Sequence, residues 1–109
     1  MRSPISRSRI ERYSKTPICD GITIDQENNI YLGDLANNGI GVITPDRCYQ
    51  IIVPDEKLSW IDSLTLGSDG YIYLDCNQLH RSAPLNAGKN TSMPPYYIFC
   101  LKPLASEVA

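Results

Sequence analysis

The sequence has no stretch approaching the roughly 18 consecutive apolar residues of a membrane-spanning helix. Its opening, MRSPISRSRIERYSK, lacks the apolar centre of a secretory signal. It contains 4 cysteines, Cys19, Cys48, Cys76 and Cys100, but they lie 29, 28 and 24 residues apart. That spacing excludes the close pairs that structural zinc and dithiol redox chemistry use. Cysteines so placed read as small apolar residues in or beside strands, with one disulfide open to an oxidising compartment. With 1 His in 109 residues, a histidine metal cluster is excluded. There is no glycine-rich phosphate loop and no nucleophile elbow. Neither sign of charge dominates: 10 basic and 12 acidic residues give a net charge of -2 and a pI near 5.2. No sequence-wide attraction for nucleic acid follows, and neither nucleic acid nor membrane is an expected partner. Arg2, Arg7, Arg9, Arg12 and Lys15 do cluster at the start, which sets residues 1–14 apart as a basic segment with a solvated end.

What the chain does have is ordinary globular content, 42% hydrophobic and 20% charged, and a sentence said twice. DGITIDQENNIYL runs from Asp20 to Leu32, and DSLTLGSDGYIYL from Asp62 to Leu74. Asp20 matches Asp62, Ile22 matches Leu64, Ile24 matches Leu66, Ile30 matches Ile72, Tyr31 matches Tyr73 and Leu32 matches Leu74, all at an offset of 42. A gapless offset of this size, with several strands in each unit, is the signature of propeller blades.

Local chemistry agrees. Ile22 and Ile24 alternate with Thr23 and Asp25, the period-two pattern of a half-buried strand. DQENN and GSDG then supply Asn or Gly where a hairpin turn wants a positive φ. GIGVIT from Gly39 and CYQIIV from Cys48 complete four strands. No amphipathic helix is expected; PDEKLSW can make one turn. The fold class expected is therefore all-β, about two four-stranded antiparallel blades of an incomplete, six-bladed β-propeller. Residues 15–58 form the first blade and 59–104 the second, with a long loop at 78–95 and a tail at 105–109. YYIFCLK from Tyr96 is the third strand of the second unit. RIERYS reads as the last strand of an absent blade. Two blades leave two large faces and strand edges open, and repeat arrays generally need more units. The chain is thus expected to be part of a longer propeller, or to assemble with copies of itself, three of which would supply six blades.

Three segments carry a family resemblance: CDGITIDQENNIYLGDLANNGIGVI, WIDSLTLGSDGYIYLDCNQLHRSAPLNAGKN and PPYYIF. Together they resemble the C-terminal blades of bacterial members of the major royal jelly protein/yellow family, which lies near the gluconolactonase and senescence marker protein group. The most specific parts are Trp60-Ile61-Asp62-Ser63, Asn77-Gln78-Leu79-His80-Arg81 and Pro94-Pro95-Tyr96. The resemblance spans Lys15 to Leu104; family members are longer and carry earlier blades that this sequence does not show. It implies a central channel that binds a small organic ligand, and export of the full-length parent to the periplasm or the exterior. A chain complete as written, without a signal, would instead be expected in the cytoplasm.

On that resemblance Asp20, in an Asp-Gly-hydrophobic context, is the candidate ligand for a divalent cation, Ca²⁺ or Zn²⁺, near the channel axis. A metal there would polarise a lactone carbonyl or activate water, so the alternative to a ligand-binding protein is a metal-dependent lactone hydrolase. A second alternative is an inactive gene remnant. Asp62 holds the matching place in the second unit, and two such carboxylates can bind a cation or an amine, or raise one another's pKa. Each can equally serve in turn or blade-to-blade hydrogen bonds. Asn77 is a candidate ligand contact at the channel mouth. His80, the lone histidine, is a candidate contact too, set against a structural hydrogen-bonded role. Arg81 can hold an anion or pair with a carboxylate. No residue is assigned to catalysis. Trp60, Tyr31 and Tyr73 read as packing residues between blades. Asn90-Thr91-Ser92 has the form of a glycosylation sequon.

Overall fold

The computed structural model describes residues 9–104, and all its regular structure apart from short 3₁₀ turns is β. Four strands, β1 (Cys19–Ile24), β2 (Ile30–Asp34), β3 (Gly39–Ile43) and β4 (Tyr49–Pro54), form one antiparallel sheet in the order β1-β2-β3-β4. Three more, β5 (Ile61–Leu66), β6 (Ile72–Cys76) and β7 (Tyr97–Leu101), form a second antiparallel sheet in the order β5-β6-β7. Among the described residues no further strand lies beside β7, and the two sheets do not close on themselves.

Each hairpin is set by local chemistry. Between β1 and β2, the Asp25 carboxylate accepts the backbone N–H of Glu27 at 2.8 Å and of Asn29 at 2.9 Å, while Asn28 takes φ 65°. An Asx turn of this kind needs the short acidic side chain and a residue that tolerates the left-handed region. Between β5 and β6 the work passes to Gly70 at φ 87°, with the Gly67 N–H bonded to the Tyr71 carbonyl at 2.7 Å. Asp34 closes the β2–β3 turn by accepting from the Asn37 backbone and side chain, and it also receives the Tyr49 hydroxyl at 2.8 Å from β4. Burial pushes the Asp34 pKa up, but these donors outweigh it and the net shift is downward. The Tyr49 hydroxyl is raised in turn, by burial and by Asp34.

The sheets pack face to face, which the alternation of each strand dictates. Tyr31, Ile40 and Val42 of the first sheet meet Ile61, Leu64, Ile72, Leu74 and Cys76 of the second, with Leu58 of the connection closing one side. β5 runs against β1 and β2. A glycine is required at one crossing: a Cβ on Gly33 would lie 2.5 Å from the Ile61 Cβ. The opposite faces are covered only in part: on the first sheet Leu32 and Ile43 are buried there, with the Tyr49 ring lying over Gly41. Ile22 and Ile24 are 57% and 48% exposed on the first sheet, and Tyr73 is 41% exposed on the second.

Tyr31 and Tyr73, taken together in the sequence as packing residues, therefore part company. Tyr31 is fully buried, with its hydroxyl donated to Asp25 at 2.7 Å. Tyr73 stands on the uncovered face and donates its hydroxyl to Asp69 in the neighbouring turn. All four cysteines are free, and Cys48 and Cys100 are exposed rather than buried. Burial drives the Cys76 thiol up to about 11. The single turn expected at PDEKLSW is present, closed by the Leu58 N–H on the Asp55 carbonyl at 2.9 Å.

The loop 78–95 is not structureless. It carries 3₁₀ turns at Leu79–Arg81 and Ala83–Leu85. Its ends are tied by Gln78, whose amide donates to the Met93 carbonyl at 3.0 Å and accepts the Met93 N–H at 2.7 Å. At the start of the described chain, Arg47 holds the incoming segment through an ion pair with Glu11 at 3.0 Å and a cation–π contact with Tyr13 at 4.5 Å.

Candidate functional site

Asp20 and Asp62 occupy the same irregularity in two different strands. In β1 the pairing steps from Cys19↔Asp34 to Ile22↔Leu32, and in β5 from Ile61↔Cys76 to Ser63↔Asp75. Each aspartate sits in a bulge, where the extra residue leaves the ladder and its side chain is re-aimed. Because β1 lies against β5, the two re-aimed carboxyl groups meet. The Asp62 pKa is raised by hydrogen bonding with Asp20, then by partial desolvation and the negative charges of Asp20 and Asp75. Asp75, across from Ser63 on β6, accepts both the Ser63 N–H and its hydroxyl at 3.0 Å.

Trp60 gathers the rest. It sits just ahead of β5 with φ 57°, a left-handed backbone that is uncommon for a bulky residue. Its indole N–H donates to Asp20 Oδ2 at 3.1 Å. On the other side its ring stacks on His80, with centroids 6.1 Å apart and planes inclined by 16°. The Trp60 carbonyl accepts the Asn77 N–H at 3.1 Å, and the Asn77 side-chain oxygen accepts the Leu79 N–H at 3.0 Å. His80 Nε2 lies 3.4 Å from the Ser59 hydroxyl, while Nδ1 is buried without a hydrogen-bond partner among the described residues. Burial, and secondarily Arg81, push the His80 pKa below 6.5, so the imidazole stays neutral at neutral pH.

The four residues singled out from the sequence thus adjoin one tryptophan: Asp20 through the indole N–H, Asp62 through Asp20, Asn77 through the backbone and His80 by stacking. Trp60, read as packing between blades, joins the two sheets through Asp20 and is also the link among these residues. Asp75 and Ser63 were missed. The signal for them is in the repeat: at the offset of 42 they stand where the first unit has Gly33 and Gly21, so both positions gain a polar side chain.

Chemically the site is acidic and half open, with an aromatic wall. It is not a ready-made metal centre. Ca²⁺ takes six to eight oxygens, and one Asp20 oxygen is already engaged by the indole. No group of three or more His, Cys, Asp or Glu that could hold a metal ion occurs among the described residues. A separate apolar cleft of about 160 Å³ opens between the outer parts of the two sheets, lined by Ile40, Val53, Leu58, Phe99 and Leu101. It shares no residue with the acidic site. No protein-family model matches the chain, and no curated protein matches it.

Proposed function

We propose that the two sheets are successive blades of a β-propeller of the royal jelly/yellow kind, and that the Asp20–Asp62–Trp60 cluster binds a small organic cation at the channel mouth. Three observations support the blade reading: the gapless offset of 42, the sequential antiparallel order of each sheet, and the face-to-face packing of β1 and β2 on β5. The function rests on one observation, that the repeat brings two bulge aspartates into contact beside a half-buried indole.

The ligand class follows from the charge. Two carboxyl groups in contact resist sharing two negative charges, and an ammonium group relieves that repulsion while the indole face adds a cation–π attraction. His80, held neutral behind the indole, does not compete as a cation. Asn77 and the ordered end of the 78–95 loop frame the same mouth.

The test uses benzylamine as the charged probe and benzyl alcohol as its neutral counterpart, each titrated calorimetrically into the chain. Benzylamine should bind more tightly than benzyl alcohol, and Asp20→Asn/Asp62→Asn should weaken it by about tenfold, the size expected for a charged hydrogen bond. Equal binding of the two probes, or no effect of the double substitution, refutes the reading.

A further inference from the structure

The chain shows, inside itself, how one of its sheets covers another. The Tyr31, Ile40 and Val42 face of the first sheet lies over Leu64, Ile72 and Leu74 of the second. At the offset of 42 the covered residues correspond to Ile22, Ile30 and Leu32, which share the opposite face of the first sheet by their pairing, Ile22 with Leu32 and Ile24 with Ile30. That face is open at its β1 and β4 sides only: Ile22, Ile24 and Ile51 are 57%, 48% and 37% exposed, whereas Leu32 between them is already fully buried and the Tyr49 ring lies over its neighbour Gly41. Three exposed branched aliphatics on one sheet face mark a surface built to be covered.

The internal interface also shows what the cover must look like. Its two backbones come close because the covering strands carry glycine twice. A Cβ at Gly21 would stand 2.8 Å from the Asp62 carbonyl oxygen, and one at Gly33 would stand 2.5 Å from the Ile61 Cβ. In a second copy of this chain the first sheet's covering face is already occupied by its own second sheet. The only corresponding face left is that of the second sheet, where Ser63 replaces Gly21 and Asp75 replaces Gly33. These two side chains are tied together by hydrogen bonds of 3.0 Å from the Ser63 hydroxyl and N–H, so both remain on the face. Repeating the internal packing would drive Ser63 into the β1 backbone and Asp75 into Cys19.

We infer that the Ile22/Ile24/Ile51 face docks another β-sheet bearing glycine at the two places matching Gly21 and Gly33, and that a second copy of this chain does not fit it. The inference rests on the blade reading above. It removes the ring of three copies and leaves a different, glycine-bearing sheet as the occupant.

Sedimentation velocity on the full chain over a wide concentration range provides the first arm. The wild type should form no discrete ring through this face, whereas Ser63→Gly/Asp75→Gly should associate head to tail and lose that association when Ile22→Asp is added. A discrete wild-type oligomer dissolved by Ile22→Asp overturns the inference, and so does a folded glycine variant that sediments like the wild type. The second arm does not depend on that variant folding. Residues 15–58 are repeated ahead of Lys15, and thiol labelling of Ile22→Cys in the original unit is followed by peptide mass spectrometry. The added sheet should slow labelling by about tenfold or more, as covered positions react through opening; unchanged labelling overturns the inference. Leu64→Asp, at the matching place inside the chain, separates the two levels. If it leaves cooperative unfolding intact, the packing of the two sheets and the blade reading fail together, whatever the association shows.

Discussion

Replacing Tyr31 by Phe removes one oxygen that joins two distant parts of the fold. The hydroxyl donates to Asp25 Oδ2 at 2.7 Å and accepts the Leu104 N–H at 2.8 Å. In the variant Asp25 keeps the Glu27 N–H, the Asn29 N–H and the Asn29 side-chain amide, so the carboxylate is not orphaned. The Leu104 N–H is. A hydrogen bond to a charged group contributes roughly 1.5–3 kcal/mol, and a loss within that range is expected. With a urea m-value of about 1–1.5 kcal/mol/M for a chain of this size, the midpoint should fall by roughly 2 M. The alkaline limb offers a second reading. Burial, with the Asp25 hydrogen bond, raises the Tyr31 pKa from 10.0 to about 12. Between those values the unfolded chain has released the proton and the folded chain has not, so stability is full below about pH 10 and falls until about pH 12. At about 1.4 kcal/mol for each unit, that loss is roughly 2–3 kcal/mol. The Phe variant lacks it, so the gap between the two proteins should narrow above pH 10, while the other tyrosines cancel in the comparison. Parallel alkaline limbs, or equal urea midpoints, refute the account.

Gly33→Ala should destabilise the chain by about 1–3 kcal/mol in urea titrations through overpacking against Ile61, and Ile61→Ala in the same chain should not recover the loss, because alanine keeps the Cβ that lies 2.5 Å away. Asp62→Asn should stabilise the fold at neutral pH, because the raised Asp62 pKa makes its ionised form unfavourable there; the gain should vanish as pH falls below the ordinary carboxylate value of 3.8. Trp60 is the single tryptophan, and protonation of the stacked His80 should quench its fluorescence with a midpoint below 6.5, a transition absent in His80→Asn. Gln78→Ala cuts both hydrogen bonds to Met93, so limited proteolysis should cleave within 78–95 faster than in the wild type while the sheets stay protected.

Much of the fold could be read before any coordinates, because each strand of the first unit is an alternating run between turn residues with a mechanism. Asp25, Asn28 and Gly70 are identifiable from their types alone. The two bulges were not legible. Register is a property of a pair of strands, and nothing in CDGI or WIDS says that one residue will leave the ladder. The repeat nonetheless placed Asp20 and Asp62 at equivalent positions, and equivalence was enough to bring them to one site. Trp60 reads as a packing residue and does stack on His80, but its left-handed backbone and its bond to Asp20 leave no mark in composition. The order within 78–95 was hidden for a similar reason. Gln78 and Met93 are ordinary loop residues until the chain folds back and pairs them.

Where the two units differ is as informative as where they agree. Tyr31 and Tyr73 keep the same residue and the same local task, a hydroxyl donated to a turn aspartate, yet one is fully buried and the other is not. The difference lies in what faces them. The first unit holds Gly21 and Gly33 beside its tyrosine, and the second unit comes down onto them until backbone nearly touches backbone. The second unit holds Ser63 and Asp75 beside its own tyrosine, and that face stays open. Asp75 also adds a third carboxylate to the pair formed by Asp20 and Asp62, and its charge helps to raise the Asp62 pKa. One exchange of glycine for aspartate therefore acts twice: it puts a side chain on the outer face of the second sheet, and it adds negative charge beside Asp20 and Asp62. Asp75→Gly separates these effects, since it should clear that face while weakening the binding of an ammonium probe. If benzylamine binds the Asp75→Gly chain as tightly as the wild type, Asp75 belongs to the packing argument alone.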